Sequence, residues 1–489
     1  MRTGTENTLM AGLLGLAITR LWIMPLTSGF AADEAATLFV IRYGAAHPSM
    51  AAVLQLAHTP YYLLPRLAAA LGGCSEAVLR IPSLLALSAA LYLIARLAAR
   101  LIHPEACWFA AFLCLAMHGF DYQAAEARPY ALGTAVVVAA VWFLVRWMDE
   151  GRWTDAVLFV VLGALLWPIQ PVYWPCYPIF IAYATARLVW RDSKVGWRRA
   201  AGVFAALGVA LLPTCFEVLA LAGHARAHVL TSLPGARELF FSLRPWVLLP
   251  CWAGAWLLGR VRPWPANSGP LPRSSVALIV WWWLAPPLGL FLFSRLTGVS
   301  LFVPRYFSPG LPGLALAGTM ALGWFVPVRV WKPLAAAVGL GALIFLGQWR
   351  SVRPAHSDAA WRGAARAINA RTVDVATPVI CPSPFVEARS PVWRPGYSLP
   401  SVLYSYLDAY PLRGRPYPLP FDDTPEAERY MATLVQGKLA GATRFFVYGY
   451  HENAPFWVDW LRNRPELSGW HCRRLGSFRE AVAVEFDAQ

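Results

Sequence analysis

Two adjacent carboxylates, Asp33 and Glu34, follow the first apolar segment of the chain in the run Ser28-Gly29-Phe30-Ala31-Ala32-Asp33-Glu34. A carboxylate pair beside a bilayer is costly unless it is solvated, paired or used. Four further groups have comparable character: His58-Thr59-Pro60-Tyr61-Tyr62, Arg80-Ile81-Pro82-Ser83, Asp121 with Glu126-Ala127-Arg128-Pro129-Tyr130, and Arg305-Tyr306. Carboxylates within hydrogen-bond reach of a hydroxyl can take its proton. Guanidinium groups bind phosphate through a planar fork of N–H donors. The residue types therefore suit proton abstraction next to a bound anion.

The elements that must position these groups are membrane helices. The chain has 489 residues, 58% of them hydrophobic and 14% charged, against roughly 25% charged in soluble domains. Mean hydropathy is +0.47. Repeated apolar stretches of about 20 residues mark a polytopic α-helical membrane protein. Eleven spans are expected, at 8–27, 79–100, 106–121, 129–147, 155–170, 172–188, 200–222, 245–260, 276–295, 308–326 and 333–349. The net charge of +15 follows from topology. Arg96, Arg100, Arg146, Arg152, Arg187, Arg191, Lys194, Arg198, Arg199, Arg260, Arg262, Arg273, Arg329 and Lys332 fall in alternate short loops, the bias that marks the cytoplasmic side. With the N-terminus inside, segments 28–78, 122–128, 223–244, 296–307 and 350–489 lie outside, and all five polar groups share that face. No basic block interleaved with aromatics occurs, which excludes nucleic acid as a partner.

The first outer loop, 28–78, carries apolar residues at helical spacing around 34–45 and 60–71, the pattern of amphipathic helices lying on a membrane surface. Segment 223–244, with His224 and His228, reads as a flap. From Trp349 charges return and apolar runs shorten, so the chain divides into 1–349, a membrane domain, and 350–489, a soluble α/β domain. In the latter, helices are predicted over 358–370, 426–439 and 455–464, and strands over 375–381, 444–450 and, as a pair, 470–486. It has no glycine-rich phosphate loop. Cys381 and Cys472 fall in this region and can pair if it is extracytoplasmic.

The order of motifs resembles a known family. Asp33-Glu34 after the first span is followed by His58-x-Pro60-Tyr61-Tyr62, Ser75-Glu76-x-x-x-Arg80-x-Pro82-Ser83, Gln123-x-x-Glu126-Ala127-Arg128-Pro129-Tyr130-Ala131-Leu132 and Arg305-Tyr306-x-x-Pro309. The set is similar to the GT-C superfamily of integral-membrane glycosyltransferases, in its protein O-mannosyltransferase-like and aminoarabinose-transferase-like branches. The resemblance covers about residues 8–349. Departures are the spacing Gln123-Ala124-Ala125-Glu126 and the threonine in His58-Thr59-Pro60. The resemblance implies inverting transfer of a sugar from a polyprenyl-phosphate donor to an acceptor hydroxyl of a lipid, polysaccharide or protein. It places the site outside the cytoplasm, in the inner membrane of a bacterium. It assigns the base to Asp33, with Glu34 and Glu126 as further catalytic carboxylates. Arg128, Arg305, Tyr306, His58, Tyr61, Tyr62, Arg80 and Asp121 become donor-phosphate or substrate ligands. Neighbours on a helix point about 100° apart, so Asp33 and Glu34 cannot both face one cavity. No metal-ligand spacing demands an ion, and no cofactor is expected.

Each assignment has a plainer structural alternative. Asp33 can be a helix N-cap, Glu34 a solvated partner of Arg42, and Glu126 with Arg128 a pair at the start of a helix. Arg305 can be a snorkelling interfacial arginine, Arg80 an anchor for a span, and His58 a structural or donor-positioning group. Trp281-Trp282-Trp283 fits an interfacial aromatic belt or lipid-facing packing. The rival function is a secondary transporter or flippase, a class built from repeats around a midplane site. No matching halves occur here, and Arg20 and Glu217 are the clear ionisable residues within spans. An idle scaffold is the third reading.

Overall fold

A computed structural model describes residues 2–53, 59–222, 232–261, 271–352, 354–356 and 360–488. The chain forms two compact units. The first comprises Met1–Leu26, His58–Leu64 and Arg80–Pro354, and the second Thr27–Ala57, Pro65–Leu79 and Ala355–Gln489.

The first unit is helical, and each of the eleven expected spans contains helix. Among the described residues, six helical segments are long and apolar enough to cross a membrane: Gly4–Thr27, Glu76–Leu101, Tyr130–Glu150, Trp197–Ala220, Arg273–Thr297 and Val328–Leu346. The protein is an integral membrane protein. Helices Ala106–Leu115 and Trp153–Ile169 are shorter and apolar. The expected span 106–121 breaks after Leu115, because Met117 is extended (φ −96°, ψ 114°) before a second helix, His118–Ala124. Helix Tyr130–Glu150 stops at Gly151, whose φ of 73° is left-handed and suits a residue without Cβ. Trp22, Trp147, Trp282 and Trp331 are fully buried in the core. Trp282 thus faces inward, while Trp281 is 48% exposed, so only part of the triple tryptophan fits a lipid-facing role.

Charges inside this unit are structurally employed. Arg20, in the first span, donates to the carbonyls of Gly347 (2.7 Å), Gln348 (2.9 Å) and Ser351 (2.8 Å). These carbonyls follow the end of helix Trp331–Leu346, where a cation satisfies orphan acceptors and the helix dipole. Away from the candidate site, Arg187 bonds Asp149 and Asp192, both at 2.6 Å, and Arg100 bonds Asp149 (2.8 Å) and Glu150 (3.0 Å). Several arginines of the expected cytoplasmic loops are therefore held by carboxylates.

The second unit is an α/β layer. Strands β1 (Pro378–Pro382), β2 (Arg415–Leu419), β3 (Arg444–Tyr450), β4 (His471–Arg474) and β5 (Ala481–Asp487) form one sheet in the order β2-β1-β3-β5-β4. β1 runs parallel to β2 and β3, while β5 runs antiparallel to β3 and β4. β2 was not predicted. Its Arg415-Pro416-Tyr417-Pro418-Leu419 run lacks two backbone donors, which a strand tolerates at a sheet edge, and the edge is where β2 lies. Cys381 on β1 and Cys472 on β4 are free thiols. Three strand spacings of about 4.8 Å lie between their strands, beyond the ~7 Å limit for a disulfide. The possible pairing is therefore corrected.

Helix Ala32–Tyr43 belongs to this second unit. It buries Glu34 to Val40, and Ala35, Ala36 and Phe39 pack into one core with Trp361, Ile380, Tyr406 and Val447. Its apolar face is thus taken up within the protein. Helix Leu63–Gly72 differs, since Leu63, Leu67 and Leu71 stand exposed at four-residue intervals along one face.

Candidate functional site

In the helical unit the candidate residues gather around Tyr130. Glu126 and Arg128 lie in the turn between helices His118–Ala124 and Tyr130–Glu150, where Arg128 N–H donates to Glu126 O at 2.9 Å. Glu126 is 3% exposed and Tyr130 1%. The short 3-10 segment Pro304–Gly310 supplies Arg305 and Tyr306. The Tyr306 ring centroid lies 6.2 Å from that of Tyr130, and the Arg305 guanidinium carbon lies 5.7 Å from the Tyr306 ring. Arg305, Tyr306, Arg128 and Glu126 all act electrostatically on the Tyr130 hydroxyl. Four of the expected site residues are thereby brought to one place: one carboxylate, two guanidinium groups and a phenol.

Packing beneath this cluster fixes it. Tyr173 donates to the Tyr130 carbonyl at 3.3 Å and shares a short hydrogen bond with the Ser308 hydroxyl. A phenol donates one proton, so Ser308 supplies the second. The Tyr173 ring occupies the space where a Cβ on residue 133 would stand, 2.3 Å from its Cε2. Gly133 is what admits the ring. Trp282 donates from its indole to the Pro309 carbonyl at 2.7 Å, pinning the Arg305 segment to helix Arg273–Thr297.

A neighbouring group centres on Asp121, which lies 3.2 Å from His118 Nδ1 and accepts Tyr122 N–H at 2.7 Å. Asp121 bears electrostatically on Arg244, whose guanidinium stands 3.2 Å from the Cβ position of Gly119. Tyr61 and Tyr62 are buried in the 3-10 turn Pro60–Tyr62, their rings 5.3 Å apart. Arg80 is fully buried and donates to Leu26 O (2.9 Å) and Pro25 O (3.4 Å), tying helix Glu76–Leu101 to the end of the first span. His58 lies outside the described residues, as do His224 and His228.

Asp33 and Glu34 are in the second unit. Asp33 is half-buried on the first turn of helix Ala32–Tyr43. Glu34 is fully buried. Its Oε2 accepts Ala31 N–H at 2.9 Å and lies 3.8 Å from His356 Nε2. Glu34 thus satisfies an orphan donor at the helix start, while Asp33 points elsewhere, as the 100° rule requires. Tyr450, at the end of β3, is pushed up to about 12, first by burial and then by Glu480, Glu452 and Asp33.

Tyr130, Tyr173, Ser308 and Arg244 were not assigned from sequence. Tyr130 and Ser308 sit inside quoted motifs. Tyr173 is flanked by Pro171 and Pro175, and Arg244 precedes a helix opened by Pro245. Those local signals exist, but only packing shows their partners.

No protein-family profile matches the sequence, and no curated protein matches it. Among solved structures, ArnT from Cupriavidus metallidurans in the apo state is similar at 13% identity, TM-score 0.57, with 98% of each chain covered. ArnT from Cupriavidus metallidurans bound to undecaprenyl phosphate is similar at 13% identity, TM-score 0.59, again over 98% of each chain. The chain shares the fold of these two structures over nearly its whole length.

Proposed function

We propose that this GT-C-fold membrane protein is an inverting glycosyltransferase that moves a sugar from a polyprenyl-phosphate donor to an acceptor hydroxyl on the extracytoplasmic face. The observation that carries this is the Tyr130 cluster, a carboxylate and two arginines grouped around a buried tyrosine, in a fold shared with a protein bound to undecaprenyl phosphate. Arg305 and Arg128 bind the donor phosphate, oriented by Tyr306 and Tyr130. Their positive charge stabilises the phosphate as it departs. Asp33 takes the acceptor proton. The acceptor oxygen bonds to the anomeric carbon as the carbon–oxygen bond to phosphate breaks. The electron pair leaves on the phosphate, and attack opposite the leaving group inverts the centre. Phosphate is a good leaving group, so neither a separate general acid nor a metal is part of the scheme. Glu126 holds Arg128 in place, and Asp121 does the same for Arg244.

The apolar groove of about 400 Å³ lined by Tyr177, Phe180, Ala184, Phe204, Leu207 and Leu211 is the candidate channel for the polyprenyl tail. It begins one turn from Tyr173 in sequence. The acceptor is a lipid, polysaccharide or protein hydroxyl. The N-terminus is cytoplasmic, in a bacterial inner membrane.

The test is release of polyprenyl phosphate by purified protein given mannosyl, glucosyl, arabinosyl and aminoarabinosyl polyprenyl phosphates with a membrane extract as acceptor. Asp33→Asn is expected to lower the rate by about 10²–10⁴-fold, the usual contribution of a positioned base. Equal rates would remove Asp33 from the mechanism. Passage of intact donor across a vesicle membrane without cleavage would support the transporter reading instead.

A further inference from the structure

Asp33 is carried by the unit that contains the last 135 residues of the chain, Ala355–Gln489. The segment leading into its helix is held there by a closed set of hydrogen bonds. Phe30 N–H donates to the Tyr410 hydroxyl at 2.6 Å, and that hydroxyl donates to Glu76 Oε1 at 3.0 Å. Arg362 donates to the same Glu76 oxygen at 3.0 Å and to the Thr27 carbonyl at 2.9 Å. The phenol's single proton and one acceptor lone pair are both used. Burial and Glu76 push the Tyr410 phenol up, so it remains a donor at any working pH. The seat is close: a Cβ on Gly29 would lie 3.3 Å from both Tyr410 Oη and Arg362 Cβ. Three groups thus fix both backbone ends of the 27–30 segment, three residues before Asp33.

We propose that Tyr410, Glu76 and Arg362 are positioning residues for the Asp33 carboxylate, so that the carboxy-terminal unit takes part in the transfer step. This rests on Asp33 being the base. A general base works only within hydrogen-bond reach of its proton, and displacement of a catalytic group by about 1 Å can cost about 100-fold in rate. The clasp acts on the placement of Asp33 and leaves the phosphate-binding arginines of the other unit unchanged. Its loss therefore lowers kcat without changing the KM for the donor.

The decisive comparison sets Tyr410→Phe against Tyr43→Phe. Each removes one hydroxyl from a hydrogen bond that ties helix Ala32–Tyr43 or its leading segment to the same unit. Tyr43 bonds Asp408 at 3.2 Å from the far end of the helix, about 15 Å from Asp33 at 1.5 Å per residue. Steady-state transfer is measured with the polyprenyl-phosphate sugar that the wild type cleaves best, alongside thermal unfolding of each variant in detergent. Tyr410→Phe is expected to lower kcat about 10- to 100-fold at unchanged donor KM, and Tyr43→Phe to retain wild-type kcat with a similar melting shift. Glu76→Gln, which keeps an acceptor oxygen, is expected to retain more activity than Glu76→Ala. Equal kcat in Tyr410→Phe and Tyr43→Phe, with Asp33→Asn inactive, would overturn the positioning role and leave the base assignment standing. A fully active Asp33→Asn, or a wild type that cleaves no donor of the panel, would overturn both.

Discussion

Gly133 gives the sharpest test of how packing supports the helical unit's polar cluster. A methyl group placed there would sit 2.3 Å from Tyr173 Cε2 and 2.8 Å from Cδ2. Carbon atoms in contact settle near ~3.5 Å, so Gly133→Ala forces a relative shift of about 1.2 Å. Two packed helices and a ring that is fully buried leave little room, and overpacking of this kind costs about 1–3 kcal/mol. The Tyr173 hydroxyl is the moving end of the ring. It holds both the Tyr130 carbonyl and Ser308, and Ser308 lies three residues from Arg305. A shift near 1 Å in this support is expected to lower transfer by about 100-fold. The assay is polyprenyl-phosphate release, with thermal unfolding of the same preparations in detergent. The stability loss should disappear when Gly133→Ala is introduced beside Tyr173→Ala, because the clashing ring is gone. Tyr173→Phe should keep the stability but lose part of the activity. Additive stability losses in the double variant, or wild-type activity in Gly133→Ala, would refute the reasoning.

Arg305→Ala is expected to raise the donor KM about 10- to 100-fold, matching the ~1.5–3 kcal/mol of hydrogen bonds to a charged group; an unchanged KM would place the phosphate elsewhere. Ala184→Trp, which fills the apolar groove, should impair turnover of long-chain donors while sparing donors with a short isoprenoid tail. Equal impairment of both would remove the groove from donor binding. Chelation with EDTA should leave the rate unchanged, and restoration of a lost rate by a divalent cation would contradict the metal-free scheme. Cys74 is exposed, whereas Cys381 is buried with its thiol pushed up by burial. A membrane-impermeant maleimide added to intact cells should therefore label wild type at Cys74, less so Cys74→Ser, and leave Cys381 unmodified until denaturation. Labelling of Cys74 only after lysis would reverse the proposed orientation.

Local pattern made much of this legible. Apolar length located the helices, and a short apolar run located β3 to its exact ends, because a buried strand needs only its own residues to declare itself. β2 was invisible because Pro416 and Pro418 read as strand breakers until an edge position is known. The motif at 123–132 pointed to Glu126 and Arg128, but the bond from Tyr173 to the Tyr130 carbonyl spans 43 residues, which no periodicity reports. Glu34 looked like a catalytic twin of Asp33. Its capping bond to Ala31 follows from the S/T/D-x-x-E logic of helix starts, but the missing polar side chain at Ala31 concealed it. Helix Ala32–Tyr43 was read as a surface element because its own sequence is amphipathic. The core it enters is made by residues more than 300 positions later, and amphipathicity does not say which surface will cover the apolar side.

That late partnership has a consequence during synthesis. Asp33 is translated 454 residues before Asp487 completes β5. At about 5–20 residues per second, this is an interval of about 20–90 s. Through that time the aspartate's helix has no finished core to fold against and no tyrosine to fasten its leading segment. A ribosome that stalls short of the final strands releases a chain whose membrane helices are complete but whose aspartate lacks its mounting. With Asp33 as the proposed base, such abandoned products would be inert.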